Sequence, residues 1–575
     1  MLSLFKVFMS DEAIANSTKT LASGYITEGD KVKQFEQQLE DFIGTKVLTV
    51  NSATSGLTLC FKLLMQPDPN VNWPGFDVDR DVVLATPLTC TASNWSALAN
   101  NCNLKWVDVD TETAMMSLSD LCAKLSNTTK IILLTHWGGV PIDLEALDLI
   151  LDDFVEEHGF RPRVIEDCAH AFGAEYQDRR VGNYGNLAVF SFQAIKHLTT
   201  VDGGCICFPE HCKKLYQRAK KLRWFGIDRD NRGVADGDFR QEDDIGEFGY
   251  KYHMNDVNAS IGLGNLPHIP RLLKVCRRNA ALYRELLREH QDKIQLLEVV
   301  DDSNPSHWLF SVRVLGVDKP KLIKHMHDSD IMVSQVHKRN DVHSCVREFQ
   351  DSNLPNMDVL CRELICLPCG WWITEENVRF IVARLVEFLS QRSSYKTRND
   401  LDYGDLLRAL VIGKPKLSVE FGILDGFSTR ILAEHSAQVK AYDIFDDFNG
   451  YNKSTSIDKL NLPPNVDVQY GDLFDTTIVD QFDDDSVDVL HIDIANDGDV
   501  VEYVMQTWQT KVRGQIIFEG GSRARDDVPW MKRYNKKPMH EVLQDFEGKG
   551  WVVNFFGKLP SLTVVSKTQR KDFIA

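Results

Sequence analysis

The sequence predicts an α/β protein of more than one domain, on three observations. Its 575 residues exceed what one hydrophobic core organises. From about residue 20 to 265, short apolar runs bounded by turn residues alternate with segments of helical period, the pattern of a layered α/β fold. After a polar gap near residue 391 the same alternation resumes. A composition of 43% hydrophobic, 10% aromatic and 26% charged residues is that of an ordinary globular protein. The net charge of −18 disfavours nucleic acid or anionic membrane as a partner, since both require basic surface. Small anionic substrates remain compatible with a local basic pocket.

Strands are expected at Lys46–Val50, Asp81–Ala85, Lys105–Val109, Lys130–Thr135, Arg163–Glu166, Leu187–Phe192 and Gly204–Phe208. A helical stretch follows from about Pro267 to His290, then a smaller strand-and-helix region to about Ser390. The domains expected are therefore a large one over 1–265, a small one over 266–390, a linker over 391–403 and a further α/β domain over 404–575. The linker reading rests on Gln391–Asp402, which is almost devoid of apolar residues. Beyond it, strands are expected near Leu417–Phe421, Val439–Asp443, Val487–Asp493 and Gln515–Phe518. The first residues lack the apolar core of a signal peptide, and no run of about 18 apolar residues suggests a membrane span. The 13 cysteines show no framework, and the CxxC of Cys366 and Cys369 lacks the second pair that zinc requires. The expectation is no metal, a reducing compartment and a cytoplasmic protein.

Pyridoxal phosphate chemistry requires a lysine for the covalent link, a carboxylate for the ring nitrogen and donors for the phosphate. Asp167 ends the run Val164-Ile165-Glu166, so it emerges at the C-terminal end of a strand, where open α/β sheets bind ligands. Lys196 follows the strand ending Phe190-Ser191-Phe192. Asn51-Ser52-Ala53-Thr54-Ser55-Gly56 precedes an amphipathic helix, and hydroxyls with free N–H groups at a helix start form a phosphate cradle.

These residues carry a resemblance to the DegT/StrS nucleotide-sugar aminotransferases, over about residues 1–390. It runs through Ser23-Gly24-Tyr25-Ile26-Thr27-Glu28-Gly29, Phe35-Glu36, Asn51-Ser52-Ala53-Thr54, Glu166-Asp167-Cys168-Ala169-His170, Lys196, Asp202-Gly203-Gly204, Gly249-Tyr250 and Leu367-Pro368. The resemblance implies a fold type I pyridoxal-phosphate transferase with a large and a small α/β domain. It implies Lys196 as the residue linked to the cofactor and Asp167 as partner of the pyridinium nitrogen. Ser191, Thr54 and Ser55 would hold the phosphate, with glutamate as amino donor and a nucleotide-linked keto-sugar as acceptor. It further implies a homodimer, because Gly249–Met254 would reach the neighbouring subunit's cofactor. Four positions depart from the commonest pattern: Cys90 where an aromatic often stacks on the ring, His170 for the usual Gln, and Lys251 and His253 for Asn and Arg. Lys251 can still meet a phosphate as a point charge. Relatives with histidine in place of the lysine are sugar dehydratases; Lys196 argues against that alternative, although His197 adjoins it.

Leu417-Ser418-Val419-Glu420-Phe421-Gly422, followed by Gly426 and a helix, reads as the first strand–turn–helix of a nucleotide-binding fold. Asp443 ends the next strand, where a ribose hydroxyl would be bonded. On spacing alone NAD and S-adenosylmethionine both fit. The order of segments is similar to that of class I S-adenosylmethionine-dependent methyltransferases, over about 405–570, so a Rossmann-like methyltransferase domain is expected. That resemblance puts Glu420, Gly422, Gly426, Asp443 and Asp472 on the cofactor and Asp493 toward the acceptor. Glu519 follows at some distance, with Gly520 where a second metal-binding acid would stand. Amine and hydroxyl acceptors are equally open, and a non-catalytic scaffold is the alternative for this domain.

Overall fold

Lys46–Val50 (β1) begins a sheet whose strands are apolar on both faces, as strands covered by helices on both sides must be. The computed structural model describes residues 1–229, 244–291, 293–350, 353–390, 398–411, 414–423, 426–444, 462–494, 497–521, 537–547, 549–557 and 561–567. The chain divides into two units, Met1–Arg392 and Ser393–Ala575.

In the first unit β1 is joined by Val82–Ala85 (β2), Asn103–Trp106 (β3), Thr129–Thr135 (β4), Arg163–Asp167 (β5), Leu187–Ser191 (β6) and Gly204–Phe208 (β7), in the order β1-β7-β6-β5-β4-β2-β3. β7 runs antiparallel to both neighbours, while β6, β5, β4, β2 and β3 are parallel. Val189 and Ile206 join the core on one face; Ala188, Phe190, Cys205 and Cys207 join the core on the other. The helix Ala53–Leu64 lies close on the first face because Gly56 has no side chain: a Cβ there would meet Val189 Cγ1 at 2.9 Å. The helix Ile269–Leu287 serves two cores. Leu272 and Leu273 belong with the large sheet, whereas Ala280, Tyr283 and Leu287 pack with a second, antiparallel sheet. That sheet has the order β8-β9-β10, from Ile294–Leu296 (β8), Phe310–Val314 (β9) and Leu364–Leu367 (β10).

The second unit contains Leu417–Phe421 (β11), Gln438–Asp443 (β12), Val466–Tyr470 (β13), Val487–Ile492 (β14), Val512–Glu519 (β15), Trp551–Gly557 (β16) and Ser561–Lys567 (β17). The order is β13-β12-β11-β14-β15-β17-β16, parallel from β13 to β15, with the last two strands antiparallel. Strand order reverses between β11 and β14, which opens a crevice beyond their C-terminal ends.

Two expectations need correction. The strand placed at Lys105–Val109 is Asn103–Trp106. Asn103 Nδ2 anchors its start on the carbonyls of Val78 and Asp81, and Asp108 turns away to cap Asn356 and Met357. The linker expected over 391–403 is shorter, because Arg398–Leu410 is a helix. Its Tyr403 and Leu407 are buried beside Ile431, Val439 and Ile517, whereas 391–397 lie outside the described residues. Strands β13, β16 and β17 are additions to the sequence reading.

Candidate active site

Asp167 arrives at the C-terminal end of β5 with 4% of its surface exposed. Ser93 Oγ donates to Oδ2 at 2.5 Å, and the Ala169 N–H donates to Oδ1 at 3.0 Å. Ser93 lies in the helix Thr91–Leu98, whose N-cap is Cys90. Lys196 sits in the connection between β6 and β7, and its Nζ lies 3.7 Å from the centre of the Trp308 ring. Burial pushes the Lys196 pKa down to about 8, opposed by Asp167 and Cys90. Asp167, Cys90 and Lys196 are thus brought together.

His170 stacks on Trp308 with ring centres 3.9 Å apart, and lies parallel to His337 at 5.8 Å. Trp137 stands edge-on to both imidazoles. The indole N–H of Trp308 donates to the Ile195 carbonyl at 2.9 Å, tying this aromatic wall to the lysine's own turn. His170 Nδ1 and His337 Nε2 are buried without a hydrogen-bond partner. Burial holds His170 well below its ordinary value and His337 at about 4; Lys196 adds to both shifts.

The hydroxyl cluster assembles through a glycine. Gly204 pairs with Val50 on one side and Ser191 on the other. A Cβ there would stand 2.8 Å from Ala53 N, so its absence brings the helix start beside Ser191. Ser52 caps that helix by accepting from Ser55 N at 3.1 Å and lies 3.0 Å from Ser55 Oγ; Thr54 is exposed on the first turn. An amine, a fixed carboxylate, a hydroxyl-lined helix start and an unpartnered buried imidazole nitrogen fit the needs of pyridoxal phosphate.

Beneath Asp167, His136 Nδ1 accepts from the Ile142 N–H at 3.2 Å, so Nε2–H donates to Glu166 Oε2 at 3.0 Å. Glu166 Oε1 accepts from Asn186 at 2.8 Å. Ligand atoms of His136, Glu166 and Cys168 lie within 4.8 Å of one another. Both imidazole nitrogens are used in hydrogen bonds, so the group braces β5. His197 is held by its own bond, with Nε2 at 3.1 Å from the Ser306 carbonyl. The segment carrying Lys251 and His253 runs beside the start of the hydroxyl cluster, where Asn51 Nδ2 donates to the Lys251 carbonyl at 3.2 Å; the Lys251 ammonium rests 3.8 Å from the centre of the Trp224 ring, and His253 meets the same indole edge-on.

In the second unit the turns after β11, β12 and β14 converge. Gly422, at φ +97°, has no room for a side chain, since a Cβ would stand 2.1 Å from the Asp493 carbonyl. Asp443 Oδ2 accepts from the Ile423 N–H at 2.9 Å, and Gly471 N–H donates to the Asp443 carbonyl at 3.1 Å. Asp472 accepts from Phe474 N–H at 3.0 Å, and Gly426 caps the helix Phe427–His435 at φ +76°. Glu420 points inward, wholly buried, with Oε1 3.0 Å from His491 Nδ1.

The sequence reading did not single out Ser93, Trp137, Trp308, Tyr403 or His491. Only the last two carried a usable signal: Tyr403 begins an apolar i, i+4 pattern with Leu407, and His491 interrupts an otherwise apolar strand.

A family model described as the DegT/DnrJ/EryC1/StrS aminotransferase family matches residues 8–386, and one described as a methyltransferase domain matches 419–518. The chain is similar to the crystal structure of AtS13 from Actinomadura melliaura, 42% identical with a TM-score of 0.62, over 67% of this chain and 98% of that one. It is similar to the sugar aminotransferase CalS13 from Micromonospora echinospora, 36% identical with a TM-score of 0.62, over 67% and 100%. Among curated proteins it resembles the spore coat polysaccharide biosynthesis protein SpsC of Bacillus subtilis, 28% identical over 64% of this chain and 92% of that one.

Proposed function

Because the chain belongs to the DegT/DnrJ/EryC1/StrS aminotransferase family, we propose that its first unit uses pyridoxal phosphate to move an amino group from glutamate to a nucleotide-linked keto-sugar. The observation that carries this is the buried Lys196, pushed down to about 8, beside an Asp167 that accepts from Ser93 Oγ at 2.5 Å. When bound, the cofactor supplies the electron sink that makes the substrate's carbon–hydrogen bond acidic. Asp167 keeps a proton on the ring nitrogen. Lys196, relieved of its extra proton in about half the molecules near pH 8, takes a proton from one carbon and returns it to the other. Ser52, Thr54, Ser55 and Ser191 orient the phosphate, and His170 Nδ1 meets the ring hydroxyl. The Trp308–Trp137 wall excludes water from that side. The unit acts as a homodimer in which Gly249–Met254, with Lys251, serves the partner's site. The second unit transfers a methyl group from S-adenosylmethionine, with Gly422, Gly426, Asp443 and Asp472 around that cofactor. Both reactions belong to the building of modified amino sugars.

The test incubates full-length protein with glutamate and a panel of nucleotide-linked keto-sugars and weighs the products. A product that exchanges one oxygen for one nitrogen and three hydrogens, with 2-oxoglutarate formed in equal amount, is expected. Loss of water from the sugar without nitrogen gain would establish a dehydratase instead.

A further inference from the structure

We propose that the methyl acceptor of the second unit is a hydroxyl, deprotonated by Asp493 at the head of a proton relay that runs through Tyr403 and His491 to Glu420. The proposal rests on the methyltransferase reading above. Asp493 follows β14 and Glu519 ends β15; both are partly accessible at the crevice and hydrogen-bonded to each other. Beneath them Tyr403, His491 and Glu420 are 6%, 0% and 0% exposed. Tyr403 Oη stands 2.7 Å from His491 Nε2 and 3.3 Å from Asp493 Oδ2, and His491 Nδ1 stands 3.0 Å from Glu420 Oε1. Tyr403 comes from the helix Arg398–Leu410, outside the segment matched to the methyltransferase model.

Counting protons along this chain shows why it is a relay. Glu420 accepts, so His491 Nδ1 carries a hydrogen. The single hydroxyl hydrogen of Tyr403 then has two placements. It donates to Nε2, in which case the Asp493 contact needs a proton on Asp493. Alternatively it donates to Asp493, in which case the imidazole holds both protons. The two arrangements differ by one proton moved from Asp493 to His491 through the phenol. Burial and the charges of Glu519 and Glu420 hold Asp493 well above the usual carboxylate range, so the acid pair holds a proton more tightly than an isolated carboxylate does. An acid pair already holding a proton accepts a second only if the first can leave. His491 receives it, and Glu420, whose Oε2 is buried without a partner, balances the imidazolium.

The step balances. The acceptor O–H bond breaks, its proton goes to the Asp493–Glu519 pair, and the oxygen bonds the methyl carbon as the carbon–sulfur bond breaks with its electrons left on sulfur. As that proton arrives, the pair's first proton passes through Tyr403 to His491, so the pair keeps one negative charge and the positive charge lost from sulfur reappears on the imidazolium beside Glu420. A free amine attacks without losing a proton in the same step, whereas a hydroxyl needs a proton acceptor as it attacks.

The experiment uses full-length protein and its Tyr403→Phe and Asp493→Asn variants. Infrared spectroscopy near pH 7 should show the carbonyl stretch of a protonated carboxyl, lost in Asp493→Asn and displaced in Tyr403→Phe; this readout needs no acceptor. Labelled S-adenosylmethionine is then offered with an aminated nucleotide sugar and its N-acetylated counterpart. Methylation of the N-acetylated sugar is expected, with kcat at least tenfold lower in Tyr403→Phe and unchanged S-adenosylmethionine affinity by calorimetry. The proposal is overturned by methylation confined to the free amine, by a carboxyl band indifferent to Asp493→Asn, or by activity that a chelator abolishes and magnesium restores. Failure of intact protein to bind S-adenosylmethionine would instead overturn the methyltransferase reading beneath it.

Discussion

Lys196 must be an amine both reactive and retained, and its surroundings set that balance through opposed effects. Burial lowers its pKa while Asp167 raises it, with about 8 as the outcome. Asp167→Asn therefore has two consequences. Amination should fall at least about a hundredfold, a loss near ~2.7 kcal/mol, because an amide cannot hold the ring proton. The pH midpoint for capture of pyridoxal phosphate by the cofactor-free chain should also move lower, since the supporting charge is gone. Near wild-type turnover, or a midpoint moved upward, would contradict the pairing. The histidines give a second test. His170, His197 and His337 are held below the ordinary 6.5, the last two at about 4, chiefly by burial. Unfolding lets them protonate, so the unfolded chain binds more protons below pH 6.5 and stability falls as pH drops from there toward 4. His337→Gln should flatten the melting temperature's slope over that window in the cofactor-free protein; an unchanged slope counts against the assigned burial. Asp167 and Lys196 were legible because a strand-ending acid and a lysine after the next strand carry chemistry in their order. Trp308 and Ser93 were not, because their roles exist only across contacts between segments far apart in sequence.

At the scale of elements, the proposed phosphate cradle depends on how closely β7 approaches the helix Ala53–Leu64. Gly204→Ala places a Cβ 2.6 Å from the Phe190 carbonyl and 2.8 Å from Ala53 N. Neither is a side-chain end that can swing aside, so the helix start must move. Pyridoxal phosphate affinity should weaken at least tenfold and the melting temperature should fall; cofactor titration of the variant checks both. Wild-type affinity would remove Gly204 from the cradle. β1, β7 and β11 were legible to the residue because each is a bounded apolar run. β3 was displaced because Val107 and Val109 follow Trp106 and extend the apolar run, and only the tertiary bonds of Asn103 and Asp108 decide where pairing stops. The helix Arg398–Leu410 was hidden by its polar first turn, although Tyr403 and Leu407 anchor it. Edge strand β13 is mostly half-exposed and so lacks a strong apolar signature.

At the scale of the whole molecule, two units with separate cores share one chain. A chain ending at Ser390 should stay folded and retain amination within about twofold, because each unit buries its own apolar residues. Insolubility of that shorter chain would mean that the second unit is structurally required. The α/β class and the order of both units were legible from alternation and from the gap near residue 391, since periodicity reports burial on each face. Residue partnerships inside the crevices were not, because they depend on strand order, which a single sequence does not state. The central claim is that Lys196 bonds pyridoxal phosphate. Borohydride reduction of the full-length yellow protein, followed by peptide mapping, tests it most directly. The account predicts a phosphopyridoxyl group on Lys196 and no incorporation in Lys196→Ala; a label on any other lysine, or equal labelling of the variant, would contradict it.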